Sequence, residues 1–221
     1  AYKKAKGLNE DGKEYGGNRV YSSEDIKVSK PAASKKATAE SEVKYLKEKI
    51  EKLNRRASQS LIESVFAFAR TIELKDHYTG QHTEKTVKYA TEVAKELKLP
   101  KEDVELIRQA AILHDLGKIG ISDKILRKKS KLTAKEFHEL KKHPQIGADV
   151  LRPIQLLHNI IPLMLHHHER WDGKGYPGGL KREEIPLGAR IVAVADVFQA
   201  LTSNRPYRKA YPRAHAIQMI K

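Results

Sequence analysis

Seven side chains in this sequence of 221 residues have the types and placing to hold metal ions. His114-Asp115 closes an apolar helical run, and Lys118 follows four residues after the histidine. On a continuing helix Lys118 shares the face of His114, where an ammonium can hold a phosphate oxygen beside a metal. Neighbours on a helix project about 100° apart, so His114 and Asp115 reach one ion only if the helix edge faces it. Taken alone, the pair reads more readily as a buried ion pair than as a metal site. His166-His167-His168-Glu169 ends the apolar segment Ile160–Leu165. Imidazoles there lose their hydration unless they bind something. Two of the three can converge on one cation; a solvated helix end is the plainer alternative. His82 opens another helical stretch, His143 precedes Pro144, and Asp196 stands alone in the apolar run Ile191–Phe198. An isolated carboxylate in such a run needs a metal, an arginine or a helix cap. His82, His114, Asp115, His143, His167, His168 and Asp196 are nitrogen and oxygen donors only, a set suited to iron, manganese or zinc rather than soft ions. Seven ligands exceed one octahedral ion with an open position, so two metals sharing Asp115 and a hydroxide account for them most economically.

The elements that must position these residues are helices. Leu61, Ile62, Val65, Phe66, Phe68 and Ala69 form a wide apolar stripe, and Val87, Ala90, Val93, Ala94 and Leu97 form another that ends before Pro100. Glu102 to Leu116 is predicted as a third helix. Thr133 caps a fourth, running from Ala134 to about Lys142 with Glu136 at the capping-box position. Gln145–Leu151 is a short helix, and Ile154–His168 is helical with a bend at Pro162. The glycines and prolines between Trp171 and Gly188 mark a loop, and Ala189–Leu201 returns to buried helix. No run of period-2 alternation calls for a sheet, so an all-α bundle is expected.

Upstream the chain changes character. Residues 1–22 look like the end of a domain, with turns at Gly12 and Gly16-Gly17 and a short strand candidate at Arg19-Val20-Tyr21. Residues 23–40 are a linker by composition. In 41–60, Val43, Leu46, Ile50, Leu53 and Ala57 alternate three- and four-residue spacings. That is either a short coiled-coil seam or the apolar face of an ordinary helix. The body is assigned to 61–221.

Composition sets limits. No cysteine is present, which excludes disulfides and thiolate metal sites. The longest apolar run, Ile160–Leu165, is far short of the roughly 20 residues of a spanning helix. No export leader opens the chain, and a cytoplasmic location is expected, with an upstream membrane tether left open for an intact protein. A net charge of +15 favours polyanionic partners. A solvated lysine-rich surface explains it better than a nucleic-acid stripe, because aromatics are only 6% and no groove motif is present.

His114-Asp115 with Lys118, His143-Pro144, His167-His168-Glu169, Asp172-Gly173-Lys174-Gly175-Tyr176-Pro177 and Ala195-Asp196-Val197-Phe198 together resemble the HD-GYP family of HD phosphohydrolases, over about Leu61 to Lys221. The resemblance implies an HD-type helical bundle with a Gly/Pro-rich GYP loop. It also implies a phosphodiesterase that hydrolyses cyclic di-GMP to pGpG, and in a second round GMP, by attack of a hydroxide bridging two divalent ions. Iron or manganese is expected first, with zinc, magnesium or nickel as alternatives. In that scheme His82, His114, Asp115 and Asp196 hold one ion, and Asp115, His143, His167 and His168 the other. Lys118, Arg205 and Arg208 match phosphate-contacting positions, Tyr176 lies near the guanine, and Asp76 is an acidic position beside the metals.

Three positions depart from the family pattern. Tyr78 stands where some members carry a third-metal glutamate, so two metals are expected. Gln199 replaces the usual Asp; it is placed with the substrate-binding residues, and its effect on base recognition or ligand support is open. Asn204 is a lesser change. The family's C-terminal helices are missing, so the chain is expected to be a piece of a longer protein. Residues 1–22 resemble, through Ala1–Lys6 and Gly17–Val20, the tail of a GGDEF diguanylate-cyclase domain. A homodimer through the 40–60 helix is expected. The competing class is a metal-containing receptor that binds the cyclic dinucleotide without turning it over.

Overall fold

The computed structural model describes residues 39–73, 82–204 and 208–221. The expected segment 1–22 and residues 23–38 of the expected 23–40 linker, together with Asp76, Tyr78 and Arg205, lie outside the described residues, while residues 39 and 40 already belong to a helix. All regular elements among the described residues are helical, and the all-α expectation holds. They are α1 (Ala39–Glu73), α2 (His82–Glu96), α3 (Lys101–Leu113), α4 (Asp123–Leu126), α5 (Ala134–Leu140), α6 (His143–Leu151), α7 (Ile161–Leu165), α8 (Leu187–Thr202) and α9 (Arg213–Ile220), with 3-10 turns at Leu116–Gly120, Gln155–Leu157 and Arg182–Glu184.

The chain divides between Glu51 and Lys52 into two units. Of the first, the described part is the start of α1, whose Val43, Leu46 and Ile50 are exposed. α1 has no break at residues 60 and 61, so the seam predicted over 41–60 and the apolar stripe after it belong to one helix.

In the second unit α8 is the central element, in contact with α2, α3, α7 and α9. Its sequence is nearly all apolar, as a helix packed on several sides must be. Small residues set the close approach: Ala90 and Ala94 on α2, Ala110 and Ala111 on α3, and Ala189 and Ala195 on α8 are all buried. Leu113, Leu151, Leu157, Ile160 and Met164 fill the space around them, each stabilising the fold by about 1.5–3 kcal/mol. Among the described residues, no helix is long and apolar enough to cross a membrane.

Three boundaries differ from the sequence expectation. α3 stops at Leu113 rather than Leu116, and the chain tightens into a 3-10 turn. His114 and Lys118 are therefore not on one helical face. Ile154–His168 is not one helix bent at Pro162. Pro162 instead sits in the first turn of α7, where its missing N–H costs nothing. The 171–188 loop contains a 3-10 turn, and α8 begins at Leu187. At α5 the predicted capping box is present: Thr133 Oγ1 accepts from the Glu136 N–H, and Glu136 accepts from the Thr133 N–H.

Candidate metal centre

Helix ends bring the histidines together. His82 is the first residue of α2, His114 follows α3, His143 opens α6, and His167 and His168 follow α7. Asp115 begins the 3-10 turn, and Asp196 projects from the middle of α8. Three of the rings are held by the same device. His114 Nδ1 pairs with the Ala111 carbonyl at 2.8 Å, His143 Nδ1 with that of Leu140 at 2.8 Å, and His167 Nδ1 with that of Met164 at 2.5 Å. Each carbonyl lies three residues back, in the last turn of a helix, where carbonyls lack a partner further along. The Nδ1–H is thus donated to the backbone, and the Nε2 lone pair is left to face the site.

Those Nε2 atoms are buried, and no hydrogen-bond partner meets them. A buried imidazole nitrogen without a partner is costly, and a cation supplies one. The ligand atoms form two groups, His82 with His114 and Asp115, and His143 with His167 and His168; within each group they lie no more than 4.8 Å apart. Asp115 reaches both. Its Oδ2 is 3.3 Å from His114 Nε2 and 3.8 Å from His82 Nε2, and its Oδ1 is 3.6 Å from His143 Nε2. Asp196 Oδ1 lies 3.4 Å from His82 Nε2 and 3.9 Å from His114 Nε2. These residues fit a divalent metal: the donors are all nitrogen and oxygen, and the carboxylates stand among buried imidazoles.

Electrostatics agrees with that fit. Burial works against a charge on His114, but Asp115 and, further off, Asp196 outweigh it and raise its pKa to about 9. Burial pushes His143 down to about 3, and burial with neighbouring cations lowers His167 and His168. Asp115 resists its own burial through Lys118, His114 and His143, and stays well below the usual carboxylate range. Of these four histidines only His114 is held in the doubly protonated, cationic form at neutral pH, with its second proton on Nε2. Below about pH 9 that proton competes with a metal for the same nitrogen. Uptake of Mn²⁺ by metal-free protein at pH 7 should release about one proton from this set, and apparent affinity should rise about tenfold per pH unit. Proton release in a weakly buffered titration checks this; three or four protons per chain would contradict it.

The other expected site residues are distributed less uniformly. Lys118 Nζ lies 2.9 Å from Asp115 Oδ2 and lines the cleft above the histidines. Tyr176 also lines the cleft, its ring 4.8 Å from that of His168. Burial, with Asp115 and Asp196 nearby, raises its phenol well above the usual range, so it stays a hydrogen-bond donor. Arg208 does not line the cleft. Its guanidinium donates to the carbonyls of Ala200, Leu201 and Lys209, and stacks 4.3 Å from the Tyr211 ring. Two carbonyls at the end of α8 and that of Lys209 take up the donors expected to meet phosphate.

Gln199, expected among the substrate contacts, is engaged within the protein. It is buried, its Oε1 accepts from His82 Nδ1, and its Nε2 donates to Ser203 Oγ at 3.0 Å. Ser203 orients the amide, and the amide orients His82 with Nε2 toward the carboxylates. Gln199→Leu should weaken Mn²⁺ binding about 10- to 100-fold. A titration followed by thermal melting of the metal-free protein separates this from a folding defect.

Glu169 and Gly175 carry roles that sequence reasoning missed. The buried Glu169 Oε1 accepts from the Gly178 N–H at 2.6 Å and so ties the glycine-rich loop to the histidine segment. A Cβ on Gly175 would lie 2.3 Å from the Arg170 nitrogen, so only glycine allows the loop to fold back that closely. The spacing of glycines in the loop signals a tight return, but not the carboxylate that receives it.

The pattern of the HD domain family matches residues 67–221. The chain is 46% identical over 160 residues to the cyclic di-GMP phosphodiesterase response regulator RpfG of Xanthomonas campestris, covering 72% of this chain and 42% of that protein. It is 44% identical over 151 residues to a cyclic di-GMP phosphodiesterase of Thermotoga maritima (67% and 41%). It is 36% identical over 157 residues to 3'3'-cGAMP-specific phosphodiesterase 3 of Vibrio cholerae (71% and 34%). The chain thus spans between about a third and two fifths of the length of these curated relatives. Its fold is similar to that of Bd1817, a HDG"Y"P protein from Bdellovibrio bacteriovorus, with a TM-score of 0.55 at 19% identity, over 75% of this chain and 55% of that one. With its buried histidines and the match over residues 67–221, the chain belongs to the HD domain family.

Proposed function

We propose that this chain carries the catalytic domain of a metal-dependent phosphodiesterase of the HD-GYP branch, which opens cyclic dinucleotides, cyclic di-GMP first among them. The observation that carries this reading is Asp115, a carboxylate with one oxygen toward each of two groups of buried imidazoles. His82, His114, Asp115 and Asp196 would hold one divalent ion, and His143, His167, His168 and the other oxygen of Asp115 a second, with iron or manganese first. Two such ions lower the pKa of water toward 7 and offset the negative charge of a phosphodiester. The chain's own residues do the rest. Lys118 presents an ammonium where a phosphate oxygen would enter, Tyr176 offers a neutral phenol O–H beside His168, and the buried walls keep both in place. The relatives named for cyclic di-GMP and for 3'3'-cGAMP support a cyclic dinucleotide as substrate.

Chromatography of products after anaerobic incubation with Fe²⁺ or Mn²⁺ tests the reading. The expected first product is the linear dinucleotide. Binding of cyclic di-GMP with no product under either metal would assign the domain to reception instead.

Two further assignments accompany this one. Residues 1–22 are read as the tail of a GGDEF domain on their motif alone. Val43, Leu46, Ile50 and Leu53 are exposed at heptad spacing, which supports pairing of two chains through α1. A monomer in sedimentation equilibrium would refute that pairing.

A further inference from the structure

The cleft above the histidines is larger than the reacting phosphate needs. It has a volume of about 850 Å³, in the upper part of the range of roughly 300–1,000 Å³ for small-ligand sites. His82, Asp115, His143, His168 and Asp196 bound one side of it, and the stretch from Ile125 to Ala134 bounds another, with Phe137 and Leu140.

That second wall is both basic and apolar. Arg127-Lys128-Lys129-Ser130-Lys131 places four cations in five residues. Lys128 is engaged, its Nζ 2.8 and 2.5 Å from the two oxygens of Glu136. Lys129 and Lys131 are exposed on the cleft, and among the described residues neither has a carboxylate in ion-pair range. Beside them Phe137 is 45% exposed, and α5, the helix that carries it, buries none of its residues. Lys141 Nζ lies 4.9 Å from the Phe137 ring centre and 5.3 Å from that of Tyr176, so one cation stands over both aromatic rings. The loop is also ordered in advance. Glu136 binds Lys128 at one end and accepts from the Thr133 N–H at the other, at 2.7 Å.

We propose that Lys129, Lys131 and Phe137 form a second half-site of this cleft, which takes the distal phosphate and its base while the other phosphate of a cyclic dinucleotide lies against the histidines. The proposal rests on the reading of the domain as a cyclic-dinucleotide phosphodiesterase. Charge complementarity supports it. A cyclic dinucleotide carries two phosphodiester charges, and on this wall Ile125, Leu126, Leu132 and Leu140 offer the second no compensation, while Lys128 is already paired with Glu136. Two uncommitted ammonium groups supply that compensation. An exposed aromatic face next to a cation is a platform for a purine.

The test compares cyclic di-GMP with bis(p-nitrophenyl) phosphate, a phosphodiester that has no second phosphate, both with Mn²⁺ present. Lys129→Gln with Lys131→Gln should raise KM for cyclic di-GMP about tenfold with kcat within about twofold. The loss in kcat/KM on cyclic di-GMP should exceed that on bis(p-nitrophenyl) phosphate by about the same factor. Phe137→Ala should show the same selectivity. Lys124→Gln with Lys135→Gln removes equal charge outside the cleft and should leave KM for cyclic di-GMP as in the parent. Equal losses on the two substrates, or an unchanged KM in both cleft variants, overturn the half-site. A parent that cleaves bis(p-nitrophenyl) phosphate but no cyclic dinucleotide overturns the substrate assignment itself, and the half-site with it.

Discussion

Asp115→Ala should abolish cyclic-dinucleotide turnover, lowering it by at least about 10⁴-fold, and should leave less than one tightly held metal per chain. The size of the effect follows from geometry. His82 and His114 meet one oxygen of this carboxylate, and His143 meets the other. Removing it takes a ligand from both groups at once and also releases Lys118 from its 2.9 Å contact. His114 then loses the first of the two carboxylates that raise its pKa, so the local charge balance changes together with the ligand count. Asp115→Asn, which keeps the shape but not the charge, should retain weak binding at one position. Metal analysis after dialysis against Mn²⁺, beside the turnover assay, measures both losses. Two retained metals in the alanine variant would refute the bridging role.

Gly117→Ala should be the most damaging glycine-to-alanine change among the described residues. A Cβ there would sit 1.8 Å from the His143 carbonyl oxygen and 2.5 Å from the Gly147 nitrogen, both backbone atoms of α6. No side-chain rotation relieves such a contact, so α6 must move away from the 3-10 turn. That motion separates His143 from Asp115 and thus divides the two ligand groups. The expected cost is about 3 kcal/mol or more, which lowers Tm by roughly 6–12 °C, with a matching fall in metal retained. Gly120→Ala is the control. Its Cβ would meet only the Ile146 side chain, at 3.0 Å, which can turn aside. Equal melting temperatures for the two variants would show that the close approach at Gly117 is not what joins the halves.

The sequence carries much of the architecture because helical periodicity is a local property. The stripe on α2 and the capping box at Thr133 and Glu136 are visible in a few consecutive residues; the capping box is present, and of the stripe Ala90 and Ala94 are buried while Val93 and Leu97 are exposed. The donors that converge could be named from side-chain chemistry taken as a set, although each alone had a plainer reading as an ion pair, a helix end or a cap. What could not be read is where each polar group finds its partner. Arg208 and Gln199 both looked able to touch a ligand. One is held by the carbonyls at the end of α8 and the other by His82 and Ser203. Those partners are set by how α8 ends and how it packs on α2, which are long-range facts. Pro162 misled for a related reason: a proline marks a constraint on the backbone, and only the surrounding chain decides whether it bends a helix or starts one.

Glu136 has a consequence for engineering. One carboxylate fastens Lys128 and Thr133, so residues 129–132 form a closed insert whose two ends are fixed to the same point. Such an insert can be exchanged for the corresponding stretch of a relative with different nucleotide preference. On the half-site proposal, the transplant would alter how the distal phosphate is held at the rim, while Phe137 and the helices beneath keep their register.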